Sequence, residues 1–234
     1  MIKLIVGLGN PGKEYERTRH NVGFWLVERY AQQQGIALRK DPKFKALVGK
    51  TAAGAWLLLP QSFMNLSGQP VQMLAGFFKI KAEEVLVVHD ELDFAPGVAR
   101  IKQGGGIAGH NGLRDISQRL ASHDYWRLRI GVGKPPAGAE GADYVLQKPP
   151  AEERAAIDAA IDKSIELLPQ ILAGEMQAAM NKLHTEEPKK VEAPKKAEAP
   201  KKAEAPKKVV LEEPRKEAAA VEKPGLLKSL FGKK

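Results

Sequence analysis

The chain opens with an apolar run over residues 2–6, broken only by Lys3 and closed by Gly7; a strand buried on both faces reads this way. Val22, Leu26, Val27, Tyr30 and Ala31 then recur at helical spacing, predicting an amphipathic helix over 21–34 with Asn21 as its N-cap and Gly35 as its stop. Strands are expected at 46–51 and 55–59, turning at Gly54; Leu57, Leu58 and Leu59 make the second apolar throughout, as in the middle of a sheet. Pro60 ends it, and a polar loop leads to a helix over 69–78. Further strands are expected at 85–88, 97–102 and 126–132, the last alternating Arg127 and Arg129 with Leu128 and Ile130. Helices follow at 113–121 and 151–173, the second bent or broken near Pro169, with a turn or two more up to His184.

Strands and helices thus alternate, yet several neighbouring strands are joined by short turns. That predicts an α/β fold: one globular domain over 1–184, with a mixed, twisted sheet flanked by helices. Beyond His184 the pattern changes. Prolines at 188, 194, 200 and 206 mark a six-residue repeat, rich in Lys, Pro, Ala and Glu, that offers nothing to bury. Residues 185–224 are expected to form a disordered linker. Residues 225–234 form a short basic end with Leu226, Leu227, Leu230 and Phe231 on one helical face, suited to a weak membrane-surface or protein contact.

The net charge of +9 is shared between these regions. Fourteen of the 37 basic and nine of the 28 acidic residues lie in 185–234, so the tail carries +5 and the body only +4. A mildly basic body can accept a phosphate-bearing partner but does not demand one. Cysteine is absent, which excludes disulfides, thiolate metal sites and a thiol nucleophile. The N-terminus has neither signal- nor transit-peptide character, and no apolar run approaches the roughly 20 residues of a membrane span, so a cytoplasmic protein is expected.

Candidate chemistry concentrates in the loops. Four of the five asparagines (Asn10, Asn21, Asn65, Asn111) and three of the five histidines (His20, His89, His110) lie there. Gly7, Gly9 and Gly12 fit G-x-G-x-x-G, but Pro11 and the polar run 13–19 keep the third glycine from opening a helix. No acid ends a second strand at the required distance, so Asn10-Pro11-Gly12 reads as a tight turn instead of a dinucleotide loop. The zinc-protease motifs and G-x-S-x-G are both missing. What remains is histidine with a carboxylate behind it and carboxamides around it, which can activate water on an activated ester.

In order along the chain stand GLGNPG-x-x-Y-x-x-T-R-H-N, FMNLSG, HDELD, GGGxxGHNGL and R-x-R-x-G-x-G. This set closely resembles bacterial-type peptidyl-tRNA hydrolase over residues 1–184. The resemblance implies a monomeric α/β enzyme, free of metal and cofactor, that cleaves the ester joining a peptide to the terminal ribose of tRNA. It implies that His20 is the base that activates water, that Asp90 orients it, and that Asn10 distinguishes blocked from free aminoacyl ends. Tyr15, Phe63, Asn65 and Asn111 match positions that bind the tRNA end, and Lys102 and Arg129 match a phosphate clamp. Met64 and His110 shape the pocket, while His89, His123 and His184 are expected to be structural. The tail at 185–234 has no counterpart in the family pattern. A rival reading, a non-catalytic RNA-binding module of the same fold, predicts loss of His20 or Asp90, and both are present.

Overall fold

Strand β1, Leu4–Gly7, is buried along its whole length because it lies at the middle of a seven-stranded sheet. The computed structural model describes residues 1–185. In it the strands run in the order β2-β3-β4-β1-β5-β7-β6. The centre is parallel: β1 pairs with β4, Trp56–Pro60, and with β5, Val85–Glu91, which pairs in turn with β7, Trp126–Gly131. Both margins are antiparallel, with β2 (Arg39–Asp41) and β3 (Ala46–Lys50) on one side and β6 (Ala99–Gln103) on the other. The sheet is therefore mixed, as the short connections predict.

Alternate side chains of the central strands serve two cores. Ile5, Leu57, Leu59, Leu86 and Val88 face the cluster built with α1 (Val22–Gln33), α5 (Ala151–Ala173) and α6 (Met176–Thr185). Leu4, Val6, Leu58, Val85 and Val87 face α2 (Gly68–Phe77) and α3 (Asn111–Leu120). Gly23 decides how closely α1 can approach the sheet: a Cβ there would lie 2.4 Å from the Leu8 nitrogen and the Val88 oxygen. Only glycine permits that approach, and it brings the segment before α1 against the end of β5.

Several elements depart from the pattern. Strand β5 continues through His89, Asp90 and Glu91, because β7 extends alongside it and pairs these residues with Arg129, Ile130 and Gly131. The chemistry-bearing residues thus sit on a strand and not in the loop after it. Helix α3 begins at Asn111, with His110 as its cap. Strand β2 is wholly polar and was not anticipated; as an edge strand it buries no regular face. Between β7 and α5 the chain forms a further short helix, α4 (Gly141–Val145), with Leu146 as its C-cap. Helix α5 passes Pro169 unbroken, and α6 is a full helix of 10 residues. The expectations for a linker at 185–224 and an amphipathic end at 225–234 lie outside the described residues, apart from Thr185 in α6. No helix among the described residues is long and apolar enough to cross a membrane.

Candidate active site

A cavity of about 610 Å³ opens where the parallel strands β1, β4 and β5 end. Ligands collect at such carboxyl ends in open α/β sheets. Ten of the eleven residues singled out from the sequence line it: Asn10, His20, Phe63, Met64, Asn65, Asp90, Lys102, His110, Asn111 and Arg129. Tyr15 does not reach the lining but stands edge-on to Phe63, with ring centroids 6.2 Å apart.

At the centre is one carboxylate shared by two histidines. Asp90, at the end of β5, is buried, and its Oδ1 lies 2.9 Å from His20 Nδ1 and 3.1 Å from His110 Nε2. A carboxylate only accepts, so both ring nitrogens donate. The short 3₁₀ turn Arg19–Asn21 presents His20. With its proton on Nδ1, His20 keeps a lone pair on Nε2 and can act as a base from that atom. Burial opposes the charged imidazolium, but the charge of Asp90 and its hydrogen bond prevail and hold the His20 pKa above its ordinary value. Burial likewise works against the Asp90 carboxylate, yet the two histidines keep its pKa well below the usual range.

His110 has a second task. Its Nδ1 accepts the backbone N–H groups of Gly112 and Leu113, 3.1 and 3.4 Å away, and so caps α3. This fixes its tautomer: the ring proton must sit on Nε2, facing Asp90. The ligand atoms of His20, Asp90 and His110 lie within 4.8 Å of one another, close enough to suggest a metal trio. The donor set does not fit one. A cation on His110 Nε2 would have to displace that proton, and Nδ1, already facing two N–H donors, cannot take it up.

His89, expected to be structural, is buried on β5 at the cavity wall. Its Nδ1 donates to the Asp90 carbonyl at 2.7 Å, and burial, with the neighbouring His110, pushes its pKa down to about 3. It stays neutral beneath the His110 ring, whose centroid is 5.1 Å away. His184, also assigned to structure, accepts the Ile101 backbone N–H at 3.0 Å.

Asn10 is held on three sides. Its backbone N–H donates to Asn21 Oδ1 and its carbonyl accepts from Asn21 Nδ2, both at 2.9 Å, while its own Oδ1 accepts the Met64 N–H at 2.7 Å. That last bond sets the amide orientation, leaving Nδ2 as the donor end. Asn21 is the N-cap residue of α1, as expected, but its side chain makes no cap bond: at 2% exposure its amide is committed to Asn10. The turn does the rest, with Gly12 at φ +117° and the Tyr15 N–H returning to the Gly12 carbonyl.

The basic side of the cavity is more elaborate than expected. Arg129 Nε bonds Glu91 at 2.9 Å, and its guanidinium lies 4.3 Å from the Phe94 ring centroid. Lys102 is exposed and pairs across the ladder with Arg127, which sequence reasoning passed over. Arg127 is 3% exposed and donates to the Gly106 carbonyl at 2.6 Å, tying down the loop that carries His110. The signal for it was its place on the same strand face as Arg129. Asn111 Oδ1 is taken by Arg114 at 3.1 Å, so its amide is oriented too.

Fold and cavity together define a class: an α/β protein with a carboxylate-backed histidine and oriented carboxamides in one cavity, a set chemically able to activate water beside a polar substrate. The family model described as "Peptidyl-tRNA hydrolase" matches residues 4–192. A protein of that name from Thiobacillus denitrificans is 53% identical over 192 residues, covering 81% of this chain and 95% of that protein. Another from Leptothrix cholodnii is 50% identical over 192 residues, covering 81% and 90%. The crystal structure of peptidyl-tRNA hydrolase from Acinetobacter baumannii superposes with a TM-score of 0.76 at 46% identity, covering 79% of this chain and 95% of that one. The chain belongs to the peptidyl-tRNA hydrolase family.

Proposed function

We propose that this chain hydrolyses the ester between a peptide and the terminal ribose of tRNA, with His20 as the general base. The observation that carries the mechanism is the His20–Asp90–His110 arrangement beside the fixed amide of Asn10. Water held between His20 Nε2 and the ester carbonyl gives its proton to Nε2 as its oxygen attacks. The imidazolium so formed is stabilised by Asp90, which stays ionised because His110 donates to the same oxygen. The tetrahedral intermediate collapses by breaking the bond to the ribose oxygen. That oxygen takes the proton back from His20, leaving free tRNA and a peptide acid.

Asn10 reads the substrate through Nδ2, the one polar end of its side chain without a partner among the described residues. A donor there suits the carbonyl of a blocked amine and gains nothing from a free ammonium, which has no acceptor to offer. Phe63 and Tyr15 offer aromatic faces to the terminal adenine, Met64 backs the pocket, and Asn65 and Asn111 supply amides for ribose or peptide groups. Lys102 and Arg129 meet tRNA phosphate. In this reading the protein works as a single chain in the cytoplasm, recycling tRNA from aborted translation. The rival reading as a non-catalytic RNA-binding module loses its ground, since the catalytic pair is intact and the family is one of hydrolases.

The test is release of an N-acylated amino acid from tRNA under single-turnover conditions. His20→Ala is expected to lose about 10³-fold in rate while tRNA affinity holds, within the range for a general base. Wild-type rates in that variant would overturn the mechanism.

A further inference from the structure

Among the described residues six large apolar side chains are exposed, and the cavity accounts for two of them, Phe63 and Leu146. Phe77 and Phe78, 56% and 38% exposed, lie at the opposite end of the sheet. They close α2 beside Trp56, the first residue of β4, whereas Pro60 at the other end of that strand leads to the cavity. Four strand steps, about 13 Å, separate the two ends.

The aromatics form an ordered group. Phe78 stacks on Trp56 with centroids 4.5 Å apart and planes 27° from parallel, and Phe77 stands edge-on to Phe78 at 4.9 Å. Phe44, buried beneath, touches both at about 6 Å and fixes the platform from below. Lysines surround it. Lys43 Nζ lies 3.2 Å from the Phe77 centroid and Lys50 Nζ 5.2 Å from that of Trp56. Lys79 is exposed on the turn that follows α2. The nearby acids are largely engaged: Asp41 accepts the Lys43 backbone N–H, and Glu84 pairs with Lys3 and accepts the Lys81 N–H. Glu83 is the one other acid in this turn, and cations prevail.

We propose that this end of the sheet is a second RNA-binding surface, separate from the cavity, which stacks bases of single-stranded RNA on Phe77 and Phe78 and pairs phosphates with Lys43, Lys50 and Lys79. Exposed rings interleaved with cations are what sequence-tolerant single-strand binding uses: every base has a π-face, and every linkage has a charge. Lys43 covers the Phe77 face in the free protein and moves to a phosphate when a base takes its place, exchanging a cation–π contact for a charge-assisted hydrogen bond. The cation excess disfavours a basic partner, and a platform this small buries too little apolar area to hold a membrane.

The experiment uses the full chain and a short labelled oligouridylate ending in a 3′-phosphate, which cannot present a terminal adenosine to the cavity. Phe77→Ala/Phe78→Ala is expected to bind it about tenfold more weakly, as befits the loss of stacking. Because that variant removes rings packed on Trp56 and Phe44, Lys43→Gln/Lys50→Gln provides an independent arm. It should lower the slope of log affinity against log salt by about 1.4, roughly 0.7 per lost phosphate contact. Photo-cross-linking of a 4-thiouridine version to the wild-type chain should mark the peptide containing Phe77 and Phe78. Unchanged affinity and slope in both variants, or cross-links confined to the cavity or the tail, would overturn the proposal. So would loss of binding to anionic phospholipid vesicles with oligonucleotide binding intact.

Discussion

The two ends of strand β4 pose opposite problems. Near Pro60 the chain buries polar groups and gives most of them a definite partner, His89 Nε2 and two Arg127 nitrogens excepted: Asp90 serves two histidines, Asn21 clamps both backbone groups of Asn10, and Met64 orients the Asn10 amide. Near Trp56 it exposes apolar rings and lays lysine side chains against them. At the first end function depends on which atom carries a proton, and a change of one atom should be felt. At the second it depends on area and charge summed over several side chains, so single substitutions should act gently. Specific chemistry and general adhesion thus need different degrees of order from one scaffold.

The sharpest way to press this difference is to change a proton and keep the shape. Asp90→Asn leaves an oxygen able to accept from both His20 and His110 but removes the charge. Turnover should fall about 10²-fold, less than on losing His20 itself, because the geometry survives and water can stand in for part of the orienting role. Single-turnover hydrolysis of N-acylated aminoacyl-tRNA measures it. Next in size is His110, where two roles can be separated. His110→Ala removes the cap of α3 and one donor to Asp90, costing about 1 kcal/mol in thermal unfolding and roughly tenfold in rate. His110→Asn, whose side-chain oxygen can cap, should recover the stability and not the rate. Recovery of both would show that His110 acts only as a cap.

Asn21→Ala should destabilise by about 1–3 kcal/mol, the cost of leaving the buried N–H and carbonyl of Asn10 unmatched. It should also raise KM for blocked substrates more than it lowers kcat, since the reader is loosened while the base is untouched. Denaturant unfolding and steady-state kinetics together test it, and an unchanged KM would contradict the clamp. The smallest effect is expected at Lys102. Lys102→Ala should lower the salt slope of tRNA affinity by about 0.7 to 0.9, one phosphate contact, with kcat unaltered. No change in slope would remove Lys102 from the clamp.

The parallel centre was legible because residues 4–6 and 57–59 are apolar without interruption, and burial on both faces is the one environment that demands this. The margins were not: β2 is Arg-Lys-Asp, and nothing in an edge strand forces a pattern on it. Asn10, His20, Asn65, His110 and Asn111 stood out because asparagine and histidine are scarce and gathered in a few loops, while the other site residues were named through the family resemblance. Their partnerships were less accessible. An asparagine before a helix looks the same whether it caps that helix or clamps another turn, and Asn21 does the second. The extension of β5 through Asp90 depends on β7 lying alongside, a contact between residues 40 apart that no local pattern records. Arg127 was visible as a cation on an alternating strand, but its burial under the glycine-rich loop follows only from where that loop folds.

The central claim is that His20 is the base and that Asp90 holds its pKa above the ordinary value. The direct measurement is the pH dependence of kcat/KM for wild type and Asp90→Asn on the same N-acylated aminoacyl-tRNA. A raised pKa keeps His20 protonated to higher pH, so the wild-type rate should climb with a midpoint above about 6.5. In Asp90→Asn burial acts unopposed by the carboxylate, and the midpoint should move to lower pH while the plateau falls. A midpoint that stays in place in the variant, or a wild-type rate that does not respond to pH in this range, would contradict the account.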